Sequence, residues 1–177
     1  MMLFLAINRE KDGDASRQRI LAAIQAEPGI HAADLEERVE LAWSTISYHA
    51  RVLEKRGLIS TEKSNREKRL FPTTIPATQH TWFAALRDDD TNSVLKRILT
   101  TEDQGLPELS ADLGLPQKVM RRHLSTLKDA GLVDRTQTPK PLYFGTPDAE
   151  KALSEHLRNA MESRLDRPEN PSEPDAP

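Results

Sequence analysis

The feature that most constrains this chain is a repeat. Residues 44–59 read STISYHARVLEKRGLI and residues 118–133 read KVMRRHLSTLKDAGLV; with His49 laid on His123 they align at an offset of 74. At that offset Ile46 meets Met120, Ala50 meets Leu124, Leu53 meets Leu127 and Gly57 meets Gly131. Upstream, Ile20, Leu21 and Ile24 fall on Val94, Leu95 and Ile98, while Leu35, Val39 and Leu41 fall on Leu109, Leu113 and Leu115. One spacing shared by three apolar segments marks a duplication. The 177 residues are therefore expected to build two small units of roughly 60–75 residues each, near the lower size limit for independent folding.

Within the repeated segment the apolar positions have helical spacing. At 100° per residue Ile46, Ala50 and Leu53 fall on one narrow face, and Ser44, Tyr48, Arg51 and Lys55 on the opposite one. Gly57 ends the helix, because glycine takes the left-handed C′ conformation at little cost. Leu58 and Ile59 then begin a strand, and the charged run from Glu62 to Arg69 precedes Leu70 and Phe71. Helix, glycine stop, strand, charged turn and strand is the order of a recognition helix followed by a wing. An apolar root with an outward row of hydroxyl, phenol, guanidinium and ammonium groups suits a DNA major groove.

TISYHARVLEKRGLI and VMRRHLSTLKDAGLV resemble the recognition helices of winged helix-turn-helix regulators of the ArsR and MarR classes. The resemblance covers about residues 14–73 and 90–146. It implies recognition helices in the major groove and wings on the flanking backbone. It also implies that His49 and His123 contact phosphate or bases. The residues alone leave a structural role, a hydrogen bond near the helix–wing junction, about equally open, with metal binding as the remaining alternative.

The expected fold is mainly α with small β wings: two tandem winged helix-turn-helix domains joined by a linker helix, plus a C-terminal helix. Residues 1–13 read as an apolar stub, MMLFLAI, followed by a polar spacer, with Asp14 or Ser16 capping the first helix. Domain 1 then covers 14–73, the linker helix 74–89, domain 2 90–147, the C-terminal helix 148–166 and a Pro- and acid-rich disordered tail 167–177. Ser44 is the expected N-cap of the first recognition helix. The run Asp88-Asp89-Asp90-Thr91 suits a helix N-terminus.

Several functions are disfavoured. The chain has no cysteine, which removes thiol catalysis, disulfides and the cysteine-ligated metal sensing found in part of the ArsR class. His31, His80 and His156 show no ligand spacing, so no metal or other cofactor is expected. Nothing resembles a phosphate-binding glycine loop, a nucleophile elbow or a general acid–base pair, and an enzyme is not expected. No segment approaches the roughly 20 apolar residues that span a bilayer, and MMLFLAI lacks a basic leader, so a cytoplasmic protein without a membrane partner is expected.

The formal net charge is −3, so a nucleic-acid argument must rest on where the cations lie. The best candidates for bidentate readout of guanine are Arg51 and Arg122. Ser44, Thr45, Ser47, Tyr48 and Ser125 offer polar contacts to bases or phosphates, and Lys55, Lys118 and Arg121 offer backbone contacts. The first wing adds Lys63, Arg66, Lys68 and Arg69; the second, shorter and less basic, adds Arg135 and Lys140. The function these residues favour is sequence-specific transcriptional regulation on double-stranded DNA. A homodimer through the C-terminal helix or the N-terminal stub is a further expectation. The rival is a tandem winged-helix scaffold that binds protein in a chromosome or transcription complex, favoured by the acidic balance and the apolar stripe Ala149, Leu153, Leu157, Ala160, Leu165.

Overall fold

In the computed structural model the backbone is described for residues 2–64, 67–101 and 104–165, and side chains for 13–63, 68–101 and 104–162. The protein is mainly helical with two small antiparallel sheets. Helix α1 (Met2–Ala26), strand β1 (Ile30–His31), α2 (Asp34–Val39), α3 (Trp43–Lys55), β2 (Ile59–Ser64) and β3 (Glu67–Pro72) come first. A 3₁₀ turn (Ala77–Gln79) and α4 (His80–Leu86) follow. Then come α5 (Asp89–Thr100), β4 (Gln104–Gly105), α6 (Leu106–Asp112), α7 (Gln117–Asp129), β5 (Val133–Arg135), β6 (Leu142–Gly145) and α8 (Pro147–Leu165).

The offset of 74 reappears in the elements themselves. It carries α3 onto α7 and β1 onto β4 residue for residue, and the end of α1 onto the end of α5. The sheets have matching orders, β1-β3-β2 and β4-β6-β5. Each half also has its own core. Ile20, Ile24, Ile30, Leu35, Ile46, Leu53, Ile59 and Leu70 are buried together in the first; Val94, Leu95, Ile98, Leu109, Met120, Leu124, Leu127 and Leu132 in the second. Both long helices of the repeat stop alike. Gly57 (φ 69°) and Gly131 (φ 73°) adopt the left-handed conformation, which lets Leu58 and Leu132 donate to the carbonyls of Leu53 and Leu127 at 3.0 and 2.9 Å. Thr73 and Thr146 then bond the glycine carbonyls through their hydroxyls at 2.8 and 2.7 Å, fastening the hairpin to the helix end.

Three local expectations are corrected. Residues 8–13, read as a spacer, lie inside α1. No proline interrupts this run, so Asp14 and Ser16 stand within a helix and cap nothing; Asp14 pairs with Arg17 one turn on. Ser44 is not the N-cap of α3, which starts at Trp43 with no side-chain cap from the flanking Ala42. The Glu36 carboxylate of α2 accepts the Trp43 N–H at 3.3 Å instead. Helix α4, expected as a linker after the first unit, is built into the second core through Trp82, Ala85 and Leu86. Asp88 does cap α5, accepting the Thr91 N–H at 2.8 Å. The tail 167–177 and Arg66 lie outside the described residues.

Candidate nucleic-acid interface

Helix α3 is rooted by Ile46, Ala50 and Leu53, each buried. Burying an isoleucine or leucine side chain fully stabilises by about 1.5–3 kcal/mol, so Ile46 and Leu53 fix the rotation of the helix and with it the outward row. On that outer side Ser44, Arg51 and Lys55 are exposed, Tyr48 is 62% exposed, and Thr45 and Ser47 are half-buried. Among the described residues neither Arg51 nor Lys55 has an ion-pair partner. Trp43 is also exposed at the start of the helix. Helix α7 repeats the arrangement: Met120, Leu124 and Leu127 are buried, and Lys118, Arg121, Arg122 and Ser125 are exposed.

The histidines do not join these rows. His49 is 7% and His123 2% exposed, so both imidazoles sit inward, packed beside the aliphatic root. His123 Nδ1 lies 2.8 Å from the Thr91 hydroxyl and 3.2 Å from Asp88 Oδ1, which ties α7 to the first turn of α5. Burial works to raise the Asp88 pKa. The hydroxyl and amide of Thr91, His123 and the nearby Arg122 guanidinium outweigh it and hold the carboxyl below its usual range. At the matching place in the first half, Arg17 stands where Thr91 does and takes Asp14 for itself. His49 Nδ1 is left buried without a hydrogen-bond partner. Burial and the Arg17 charge push its pKa down.

The hairpins differ. In β2–β3, Lys63 is exposed and Lys68 half-buried, and they stand directly opposite each other. Like charges across a strand pair are destabilising unless an anion lies between them. Arg69, expected to contact phosphate, is half-buried and donates to the Gly29 carbonyl at 3.2 Å, which bonds it to the edge of the sheet. Glu62 is held by His80 Nδ1 of α4 at 2.6 Å, and that imidazole stacks on Phe71 at 3.9 Å. No local pattern marks this anchor, because its two ends lie 18 residues apart without periodicity. In the second half Arg135 and Lys140 are exposed on the strand and the connecting loop.

Helix, turn and helix, with a hairpin behind and the second helix bare on its outer side, define a helix-turn-helix protein. Residues 14–82 match the family HTH_HVO_0163_N, described as an N-terminal HTH domain, and residues 98–135 match the bacterial regulatory protein arsR family. The chain is 25% identical over 118 residues to the HTH-type transcriptional regulator MJ1398 of Methanocaldococcus jannaschii. That match takes in 67% of this chain but spans only 30% of the relative. Among solved structures it is similar to an ArsR-like transcriptional regulator from Rhodococcus sp. RHA1, with 23% identity and a TM-score of 0.40 over 51% of this chain and 85% of that one. The two family models and the relative are described as helix-turn-helix or regulatory proteins. Among the described residues no helix is long and apolar enough to cross a membrane, and no three His, Asp or Glu side chains are grouped to hold a metal ion.

Proposed function

We propose that the protein is a cytoplasmic, sequence-specific DNA-binding transcriptional regulator made of two tandem winged helix-turn-helix units. In this reading α3 and α7 enter the major groove of double-stranded DNA, and the β2–β3 and β5–β6 hairpins touch the flanking backbone. The observation that carries it is the outer row of α3, where Tyr48, Arg51 and Lys55 stand exposed above a fully buried aliphatic root. The Lys63–Lys68 pair, face to face on the first hairpin, adds support, since a phosphate between them removes the repulsion. Arg51 is assigned to base readout and Lys55, Lys63, Lys68, Lys118 and Lys140 to the backbone. Leu157 and Met161, exposed on α8, favour a homodimer through that helix.

The test is binding of promoter fragments across a salt series. Arg51→Ala is expected to cost about 1–3 kcal/mol and to relax selection at one base pair. Lys63→Ala is expected to weaken binding to all sequences and reduce the salt slope by about 1. Equally feeble binding to every fragment, unmoved by either change, overturns the proposal; recovery of a protein partner without DNA then favours a scaffold.

A further inference from the structure

The two halves differ in the cleft between the second long helix and its hairpin. In the second half this cleft, about 320 Å³, is lined by Arg121, Leu124, Ser125, Lys128, Arg135 and Tyr143. Three cations and two hydroxyls thus surround a floor made by the buried Leu124. The acid against it is Asp134, whose carboxylate is 3.8 Å from Lys128 and accepts the Arg135 N–H. At the offset of 74 the helix and first-strand positions of the first half are Ser47, Ala50, Arg51, Glu54 and Thr61, and Leu70, paired with Thr61 as Tyr143 is with Arg135, stands in the place of Tyr143. There Glu54 replaces a lysine, Thr61 an arginine and the buried Leu70 a tyrosine. Only the second cleft gathers positive charge.

We propose that the cleft between α7 and the β5–β6 hairpin is a phosphate seat that the first half lacks. Two guanidinium forks present donors in fixed planes suited to oxyanions, and an ammonium adds a movable point charge. The hydroxyls of Ser125 and Tyr143 supply further donors from other directions, which suits a tetrahedral phosphate better than a planar carboxylate. A volume of 320 Å³ holds a phosphate group with water to spare, since one water takes about 30 Å³. The phosphate is either a backbone group of a duplex or part of a small ligand. The duplex source rests on the DNA reading above; the seat itself does not.

Both sources are tested on the full chain and on its Arg121→Ala/Arg135→Ala variant. Both residues are exposed, so the variant is expected to melt with the parent, and that is checked first. In one arm a short duplex is titrated from about 50 to about 200 mM salt. In the other, pyrophosphate is titrated while the backbone amide resonances of Ser125 and Tyr143 are followed. If the seat holds backbone phosphate, the variant lowers the slope of log affinity against log salt by about 1–2, and pyrophosphate competes with the duplex. If it holds a small phosphate ligand, the variant abolishes the pyrophosphate-induced shifts and leaves duplex binding alone. A parent that ignores duplex yet takes pyrophosphate in the cleft ends the DNA reading and keeps the seat. A variant indistinguishable from the parent in both arms, or a parent that responds to neither probe, overturns the seat.

Discussion

His49 and His123 show how one duplicated residue acquires two environments. Both sit beside the apolar root of a long helix and both are turned inward. His123 has the Thr91 hydroxyl and Asp88 within reach; His49 has a guanidinium for a neighbour and an unfilled Nδ1. His156 on α8 is a second histidine whose pKa lies below the ordinary value, through burial and then the charges of Lys96 and Arg87. The sign for stability follows directly. The unfolded chain takes up a proton on each near pH 6.5, while the folded protein resists it until lower pH, so the unfolded state binds more protons in that window. Stability is therefore fully present above about pH 6.5 and is lost as the pH falls through it toward the depressed folded values. Melting temperature is expected to drop between pH 7.5 and 5.5 (roughly a unit either side of the unfolded value), and to drop less in His49→Gln. Parallel curves for parent and variant would show that His49 does not titrate in this range.

At the scale of elements, the glycine stop governs where each hairpin leaves its helix. Gly57 holds φ at 69°, with open space where a side chain would go, so Gly57→Ala meets backbone strain and no clash. The expected cost is about 1–2 kcal/mol, read from urea unfolding, with a hairpin less firmly held by Thr73. A variant as stable as the parent would mean that the helix end can relax without the left-handed residue. The glycine, the aliphatic root and the polar row were all legible in the sequence, because helical periodicity is local and repeats at one offset. The hairpin anchors were less so: Thr73 and Thr146 are 73 positions apart, one short of the register, since the second hairpin is the shorter. The burial of His49 and His123 was legible as a position beside the core face, but not as a choice between solvent and packing. That choice depends on Arg17, Asp88 and Thr91, which come from other helices. Likewise the cap on α3 comes from Glu36 across the turn, and a cap borrowed from a neighbouring helix leaves no mark at the helix's own N-terminus.

At the scale of the whole molecule, the two halves are joined by more than a linker. Helix α4 sits in the second core while its His80 grips Glu62 on the first hairpin. Glu27 at the end of α1 pairs with Arg38 of the first half at 2.6 Å and with Arg87, just after α4, at 3.3 Å. From the far end of the chain, Asn159 of α8 donates to the carbonyls of Gln25 and Ala26 at 3.0 and 3.2 Å, filling acceptors that a helix C-terminus otherwise leaves open. Partly exposed ion pairs contribute at most about 1 kcal/mol each, and a neutral hydrogen bond about 0.5–1.5 kcal/mol. The joint is thus worth a few such contacts, less than either core, and is expected to couple the halves without merging them. The parent should unfold in a single calorimetric transition. Glu27→Gln combined with Asn159→Ala removes contacts on both sides of the joint and should split the transition in two. The first half is expected to melt first, because α4 lends its apolar side chains to the other core. A single transition at an unchanged midpoint in the double variant would mean that these contacts carry no coupling, and that each half holds its recognition helix independently of the other.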